Sequence, residues 1–365
     1  MPEKSLDWVT AGVDRVCRTV SGAVELERAV TAVLREAVPF DAWCVLTVDP
    51  GSVLPTGGCH RNGLPLEYMD AMLQIEAGGR DALALPTLAR GPHRAMTLSA
   101  ATDGHPERSR HYREILVPSG MTREMRILFG DKGNVWGALV LFRGADVPDF
   151  TAADAELAGA ATTSVADAIR REMVLTEIAA EDAVTGPGLL LLTPGLHPVS
   201  MTAAAAHWLA QIDDGVDPDR DIPFCVMTLA HQAWSRPGPA RARTRTRSGR
   251  WMTLHAERLP GAADQLSVLI EATRPVEIAA LVADTYRLTP RERDVVGLLA
   301  RGYARTEIAK LLALSAHTVD DHVKRIFGKL EVRSRAELTA KLFFDQHVPR
   351  MQQEIPIGSS GWYLR

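Results

Sequence analysis

Between Ser315 and Leu330 the chain sets polar residues that can read another molecule among apolar ones that can hold them in place. Val319, Val323, Ile326 and Leu330 recur every three or four positions, which predicts a helix with one apolar stripe turned inward. The opposite face then carries His317, Asp320, Asp321, Lys324 and Gly328. A major groove about 12 Å wide admits one helix, and the N-terminal half of that helix meets base edges. Asp320, Asp321 and Lys324 are the base-reading candidates, while His317, Thr318, Arg325 and Lys329 flank them where phosphate is nearer. Asp320 needs an explanation, because a carboxylate facing DNA is repelled by phosphate unless it accepts from a cytosine N4 amine. The opposing reading has Asp320 and Asp321 only solvating the start of the helix, where they favour its dipole.

Other chemistries find no constellation. The chain has no GxxxxGK[ST], HExxH or GxSxG pattern, so ATPase, zinc-protease and hydrolase readings lack their working parts and no enzyme is expected. Nor does the N-terminal segment show the acidic cluster of a phosphorylated receiver. Cys59-His60 could supply two metal ligands, but no third or fourth stands at short spacing, and His207, His231 and His255 make no ligand pattern. Cys17, Cys44, Cys59 and Cys225 form no CxxC pair and read as reduced, mostly buried thiols. No metal or cofactor is called for. Trp43, His60, Tyr68, His111 and Trp136 are the aromatic and polar residues of the N-terminal half that could line a small-molecule pocket.

The C-terminal helix needs a scaffold, and the sequence supplies one. In Leu288-Thr289-Pro290-Arg291-Glu292-Arg293 the threonine can cap a helix, proline suits its first position, and Glu292 can reach back. That helix turns Val295, Val296, Leu298 and Leu299 inward and ends at Gly302. A short helix over Glu307 to Leu312 follows. Leu314 can then plug the core while Ser315 caps the next helix, and Ser334 with Glu337 opens a fourth through Leu338 and Leu342.

Upstream, helices over Trp8 to Val20 and Val24 to Val38 precede a strand at Ala42 to Val48, with Pro39 as the stop. Thr122 to Phe129 and Val135 to Arg143 read as a hairpin around 131–134. From Thr151 to about Glu181, Leu157, Ala161, Val165, Ile169, Met173 and Ile178 keep helical spacing, so one long helix is expected, whose end could meet its copy in a second chain. Gly186-Pro187-Gly188 marks a boundary. Beyond it, strands at Leu189 to Thr193, Val199 to Met201 and near 240–247, 250–257 and 265–272, with a helix over Thr202 to Ile212, predict a five-stranded antiparallel sheet. Arg241, Arg243, Arg245 and Arg247 alternate with small residues, which reads as a strand with one solvated face rather than a second nucleic-acid stripe.

Across 365 residues two or three domains are expected. The formal charge of −4 hides an asymmetry: residues 287–350 hold 13 Lys and Arg against 8 Asp and Glu, and the rest 28 against 37. Polyanion binding, if any, belongs to the C-terminal segment. The N-terminus lacks an apolar leader and no apolar run reaches the roughly 18 residues of a membrane span, so the expected location is cytoplasmic, away from membrane.

The segment LTPRERDVVGLLARGYARTEIAKLLALSAHTVDDHVKRIFGKLEVRSRAEL closely resembles the LuxR-type helix-turn-helix family. The resemblance implies that the helix from Ser315 to Leu330 is a recognition helix, that double-stranded DNA is bound by a homodimer, and that Lys324 and its neighbours contact it. Ala304, Ala313 and Glu331 depart from the pattern, standing where a polar cap, Gly, and Gly or Asn are usual. FDAWCVLTVDP, MRILFGDKGNVWGALVLFR and FTAADAELAGAATTSVADAIRREM are similar to a GAF domain as found in actinobacterial LuxR-type regulators. GPGLLLLTPGLHPVSMTAAAAHWLA and TRSGRWMTLHAERL resemble a PAS-type fold, and KLFFDQHVPR is similar to the same subgroup. The expected chain is therefore multidomain: an α+β GAF-like domain over 1–181, an α+β PAS-like domain over 186–274, a linker over 275–285, an all-α four-helix LuxR-type domain over 286–350 and a tail over 351–365. A small-molecule effector, or contact with RNA polymerase, would bias DNA binding. The alternative is an interaction adaptor that keeps the helix-turn-helix shell without strong DNA binding.

Overall fold

The computed structural model describes residues 5–20, 23–62, 65–131, 134–175, 186–212, 222–261, 264–274, 277–278, 286, 288–339 and 341. Contacts divide the chain into two compact units. One draws on 1–173 and 186–272, and the other holds the C-terminal helices. The expected linker is described only at Glu277 and Ile278, and the tail and the far end of the expected long helix lie outside the described residues.

The first unit contains two antiparallel sheets. Helices α1 (Leu6–Thr19) and α2 (Ala23–Ala37) lead into β1 (Ala42–Asp49), β2 (Leu54–Asn62), α3 (Met69–Gly78), α4 (Leu85–Arg90), β3 (Ala95–Thr97) and α5 (Leu98–Ala101). A π-helical turn at Tyr112–Leu116 runs into α6 (Val117–Ser119), and β4 (Arg123–Asp131), β5 (Asn134–Arg143), α7 (Ala152–Gly159) and α8 (Thr162–Leu175) follow. The second sheet comes from β6 (Gly188–Leu192), β7 (Pro198–Met201), α9 (Ala203–Gln211), α10 (Phe224–Ser235), β8 (Ala240–Arg245), β9 (Trp251–Leu259) and β10 (Gln265–Ala272). The strand orders are β2-β1-β5-β4-β3 and β7-β6-β10-β9-β8, so each sheet visits its own strands in the same sequence.

The expected long helix from Thr151 is two helices. Thr151 and Asp154 form a capping box at its start. The amides of Ala160 and Ala161 then bond three residues back, to Leu157 and Ala158, before Val165 resumes a four-residue bond to Ala161. Gly159, with its conformational freedom, and the β-branched Thr162 and Thr163 favour that tight turn over a continuous helix. Ala161, Val165 and Ile169 are nevertheless buried, as their spacing requires.

The arginine stripe also differs from expectation. Ala242, Thr244 and Thr246 are buried, but Arg243 and Arg245 are not a solvated face. Arg243 Nε lies 2.8 Å from Asp49 Oδ1 at the end of β1, and Arg245 donates to the carbonyls of Glu172 and Gly249 at 3.0 and 3.1 Å. Thr244 Oγ1 donates to the Thr56 carbonyl of β2 at 2.9 Å. Thus β8, an edge strand of its sheet, docks on β2, an edge strand of the other, and the alternation that suggested solvent serves a polar seam.

In the second unit, α11 (Pro290–Ala300), α12 (Arg305–Leu311), α13 (Ala316–Leu330) and α14 (Arg335–Thr339) pack around one core. Val295, Leu299, Ile308, Val319, Val323, Ile326, Leu330 and Leu338 are all buried. Gly302 takes φ +104 after α11, as expected of a residue just past a helix. Ala313 and Glu331 adopt φ +52 and +54, which explains why Gly or Asn suits those positions.

Two outcomes follow from these contacts. Arg243→Ala is expected to lower stability by about 3 kcal/mol, because it leaves the Asp49 carboxylate buried without its cationic partner, held only by Ser52 among the described residues. Replacing both, Arg243→Met with Asp49→Asn, should recover part of that loss in urea denaturation, and equal losses would contradict the pairing. Glu331→Gly is expected to raise the stability of the C-terminal unit by about 1 kcal/mol by relieving the left-handed backbone, read as a later denaturation midpoint.

Candidate nucleic-acid interface

The C-terminal unit is set by its caps. Thr289 Oγ1 accepts from the Glu292 amide at 3.2 Å while Glu292 accepts from the Thr289 amide at 2.8 Å, closing the expected box. Glu292 is almost fully buried and also accepts from Lys329 Nζ at 2.6 Å. Burial opposes its charge, but the bonds from Lys329 and Thr289 outweigh it and hold the carboxyl below its usual range. At α12, Ala304 offers no capping side chain, and Glu307 alone reaches back to the Ala304 amide at 2.7 Å. The turn that follows is closed by the Leu314 amide on the Ala309 carbonyl at 2.8 Å, and Arg291 donates to the Leu312 carbonyl at 2.5 Å. Ser315 then caps α13 by accepting from the Thr318 amide at 3.0 Å.

With Val319, Val323, Ile326 and Leu330 turned inward, the outer face of α13 is what its sequence position predicts. His317, Lys324, Arg325 and Gly328 are exposed, and Thr318, Asp320 and Asp321 are half-buried. The seven expected residues divide by what they touch. Asp320 Oδ1 lies 2.9 Å from Arg305 Nη1 at the start of α12, so its charge is balanced within the protein. Asp321 Oδ2 lies 3.8 Å from His317 Nε2, one turn away. The Thr318 hydroxyl is 2.8 Å from that of Ser315. Lys329 is tied to Glu292, which anchors the end of α13 to α11. Lys324 and Arg325 are the exposed cations of the central turn.

Arg305 was not among the expected residues. Its signal in the sequence is weak, a cation at the first position of a short helix, and only the packing of α12 against α13 brings it to Asp320.

In the first unit, a recess with an empty volume of about 600 Å³, counting its open mouth, lies between the sheet and α3. Cys44, Leu46 and Val140 floor it, Met69, Leu73 and Glu76 of α3 roof it, and Phe224 of α10 closes one side. Among the expected pocket residues whose side chains are described, only His111 lines it. Trp43 pairs with Leu141 on the face that carries Gly137, where Ile169 of α8 packs, whereas Cys44 pairs with Val140 on the other. Trp136 is fully buried and Tyr68 half-buried, neither at the recess wall, and the side chain of His60 lies outside the described residues. Cys17, Cys44 and Cys225 are buried, and burial pushes the Cys17 thiol up to about 11. Among the described residues no group of His, Cys, Asp or Glu is arranged to hold a metal, and no helix is long and apolar enough to cross a membrane.

Residues 286–342 match the GerE family, described as bacterial regulatory proteins, luxR family. The nitrate/nitrite response regulator protein NarL of Escherichia coli (strain K12) is 42% identical over 77 residues, 19% of this chain and 36% of NarL. The tetrathionate response regulatory protein TtrR of Salmonella typhimurium is 31% identical over 84 residues, 22% of this chain and 41% of TtrR. The chain therefore spans less than half the length of these curated relatives. Among solved structures, Escherichia coli SdiA aligns over 92% of this chain and 95% of its own, at 12% identity and a TM-score of 0.33. The GAF domain/HD domain protein from Geobacter sulfurreducens aligns over 43% of this chain and 99% of its own, at 15% identity and a TM-score of 0.32. The C-terminal domain is a LuxR-type helix-turn-helix domain, shared with proteins that are named as transcriptional regulators.

Proposed function

We propose that this protein is a cytoplasmic, DNA-binding transcriptional regulator that acts as a homodimer. In this reading the α+β unit comprises a GAF-like and a PAS-like half and biases DNA binding in response to a small-molecule effector or a contact with RNA polymerase. The observation that carries the reading is the outer face of α13: a helix clamped by four buried residues, with Lys324 and Arg325 exposed on its central turn. A lysine there can donate to guanine O6 and N7, and Arg325 at the flank suits a phosphate. Asp321 suits a cytosine N4 amine. Asp320, balanced by Arg305, keeps the face from presenting an uncompensated carboxylate, which answers the repulsion its position raises. His317 and Thr318, on the first turn, sit where a phosphate would pass. Two chains related by a two-fold axis would place two such helices on half-sites, and their separation would set affinity. The two sheets with one strand order support a reading of the first unit as paired α+β modules around a recess.

The test is a DNA-binding titration of the full chain on genomic fragments it selects, repeated at several salt concentrations. Affinity is expected to fall as salt rises. Lys324→Ala should weaken binding about tenfold or more, whereas Lys329→Ala should chiefly lower stability of the C-terminal unit. Salt-independent binding, or Lys324→Ala with unchanged DNA affinity, would replace the regulator by an adaptor that uses the same shell.

A further inference from the structure

We infer that the recess beneath α3 is a binding site for an uncharged, largely apolar small molecule that carries one hydrogen-bond donor, a hydroxyl or N–H, directed at Nε2 of His111. The inference deepens the effector reading above and names the chemistry of the effector. His111 is 3% exposed and lines the recess, and its Nε2 has no hydrogen-bond partner among the described residues. Its other nitrogen is committed: Nδ1 lies 3.0 Å from Oε2 of the fully buried Glu124. Burial opposes the charge of Glu124, but the Arg126 guanidinium and the hydrogen bond from His111 hold its carboxyl well below the usual range, so it is an acceptor only. In the neutral ring the proton that meets this acceptor is on Nδ1, which leaves an unpartnered lone pair on Nε2 of a side chain that lines the recess.

The charged groups beside it pair with one another. Arg126 donates to Glu124 from Nε at 2.6 Å and to Glu76 from Nη1 at 2.7 Å, and the second oxygen of Glu76 accepts from the Leu85 amide at 2.5 Å. A ligand anion would meet two carboxylates beside a single guanidinium already paired with both, and a ligand cation would find both carboxylates engaged. The rest of the wall is dominated by sulfur-bearing and aliphatic side chains and Phe224. One buried acceptor in an apolar wall selects for a single donor, because a ligand lacking it leaves Nε2 unpaired. Phe224 belongs to α10, which packs on both sheets, so an occupant would touch both halves of the unit.

The probe is 1-naphthol, with naphthalene and 1-naphthoate as matched controls, titrated into the full chain. Binding is followed by ligand fluorescence, and the His111 ring by nitrogen-15 resonance. The free protein should show an unprotonated Nε2 whose signal moves on addition of 1-naphthol. That compound should bind at least tenfold more tightly than either control, and His111→Phe should erase the preference. Leu73→Trp, which fills the recess without altering His111, should abolish binding of all three. A proton on Nε2 in the free protein, equal affinity for naphthalene, or preference for naphthoate would overturn the inference, and the wild-type resonance decides it even if a variant fails to fold. Binding of 1-naphthol with no change in DNA affinity supports the site while removing its regulatory role, so the two readings fail separately.

Discussion

Everything the C-terminal unit offers to another molecule is decided by where Val319, Val323, Ile326 and Leu330 go. Their burial against α11 and α12 fixes the rotation of α13 about its own axis, and the residues between them have no choice but to face out. The length of the exposed segment is set at both ends by backbone chemistry: Ser315 caps the start, and the left-handed Glu331 ends it, with the Val332 amide returning to the Phe327 carbonyl at 3.0 Å. A helix this short would be marginal alone. Held by its stripe and its caps, it becomes a rigid rod whose outer side chains are pre-positioned, which lowers the ordering cost of binding.

The charges around that rod are allotted rather than scattered. Of the residues that could oppose or favour a polyanion, Asp320 is met by Arg305 and Lys329 is met by Glu292, so a repulsive carboxylate and an attractive ammonium each have a counter-charge within the unit. The two pairs differ in kind. Arg305 and Asp320 are substantially solvent-exposed, so their pairing balances charge and adds little stability. Glu292 is buried and receives bonds from Thr289 and Lys329 together, joining the start of α11 to the end of α13. What remains outward and cationic near the middle of α13 is Lys324 and Arg325.

How much of this could be read in the sequence depended on whether the determining contact was local. Caps are local, so Thr289, Gly302 and Ser315 announced the helices of the C-terminal domain, and period-two runs announced most strands of the second sheet. Contacts across the fold were not legible. Helix α10 gave no amphipathic signal because Phe224 to His231 are all buried, leaving no polar face to set a period. Arg243 and Arg245 alternated like a solvated strand face, yet what they meet is Asp49 and the Glu172 carbonyl, far away in the chain. In the recess, Trp43 was the conspicuous residue, but strand alternation placed its neighbour Cys44 on the recess side, and His111 came from the short helical turn leading into Tyr112–Leu116, too irregular to show a period.

The same distinction explains how the first unit holds two sheets as one. Neither sheet alone accounts for α10: it packs on α3 and β2 of one half and on β8, β9 and β10 of the other. Its His231 Nε2 lies 3.0 Å from Asp70 Oδ1 on α3, and the polar seam between β2 and β8 runs beside it. A helix buried on nearly all sides cannot be displaced without opening apolar surface in both halves at once, because protein interiors are close-packed. Phe224, at the first position of that helix, is also a wall of the recess. The recess is thus bounded by an element that packs on both halves, which is the arrangement needed for occupancy of a small site to be felt by both.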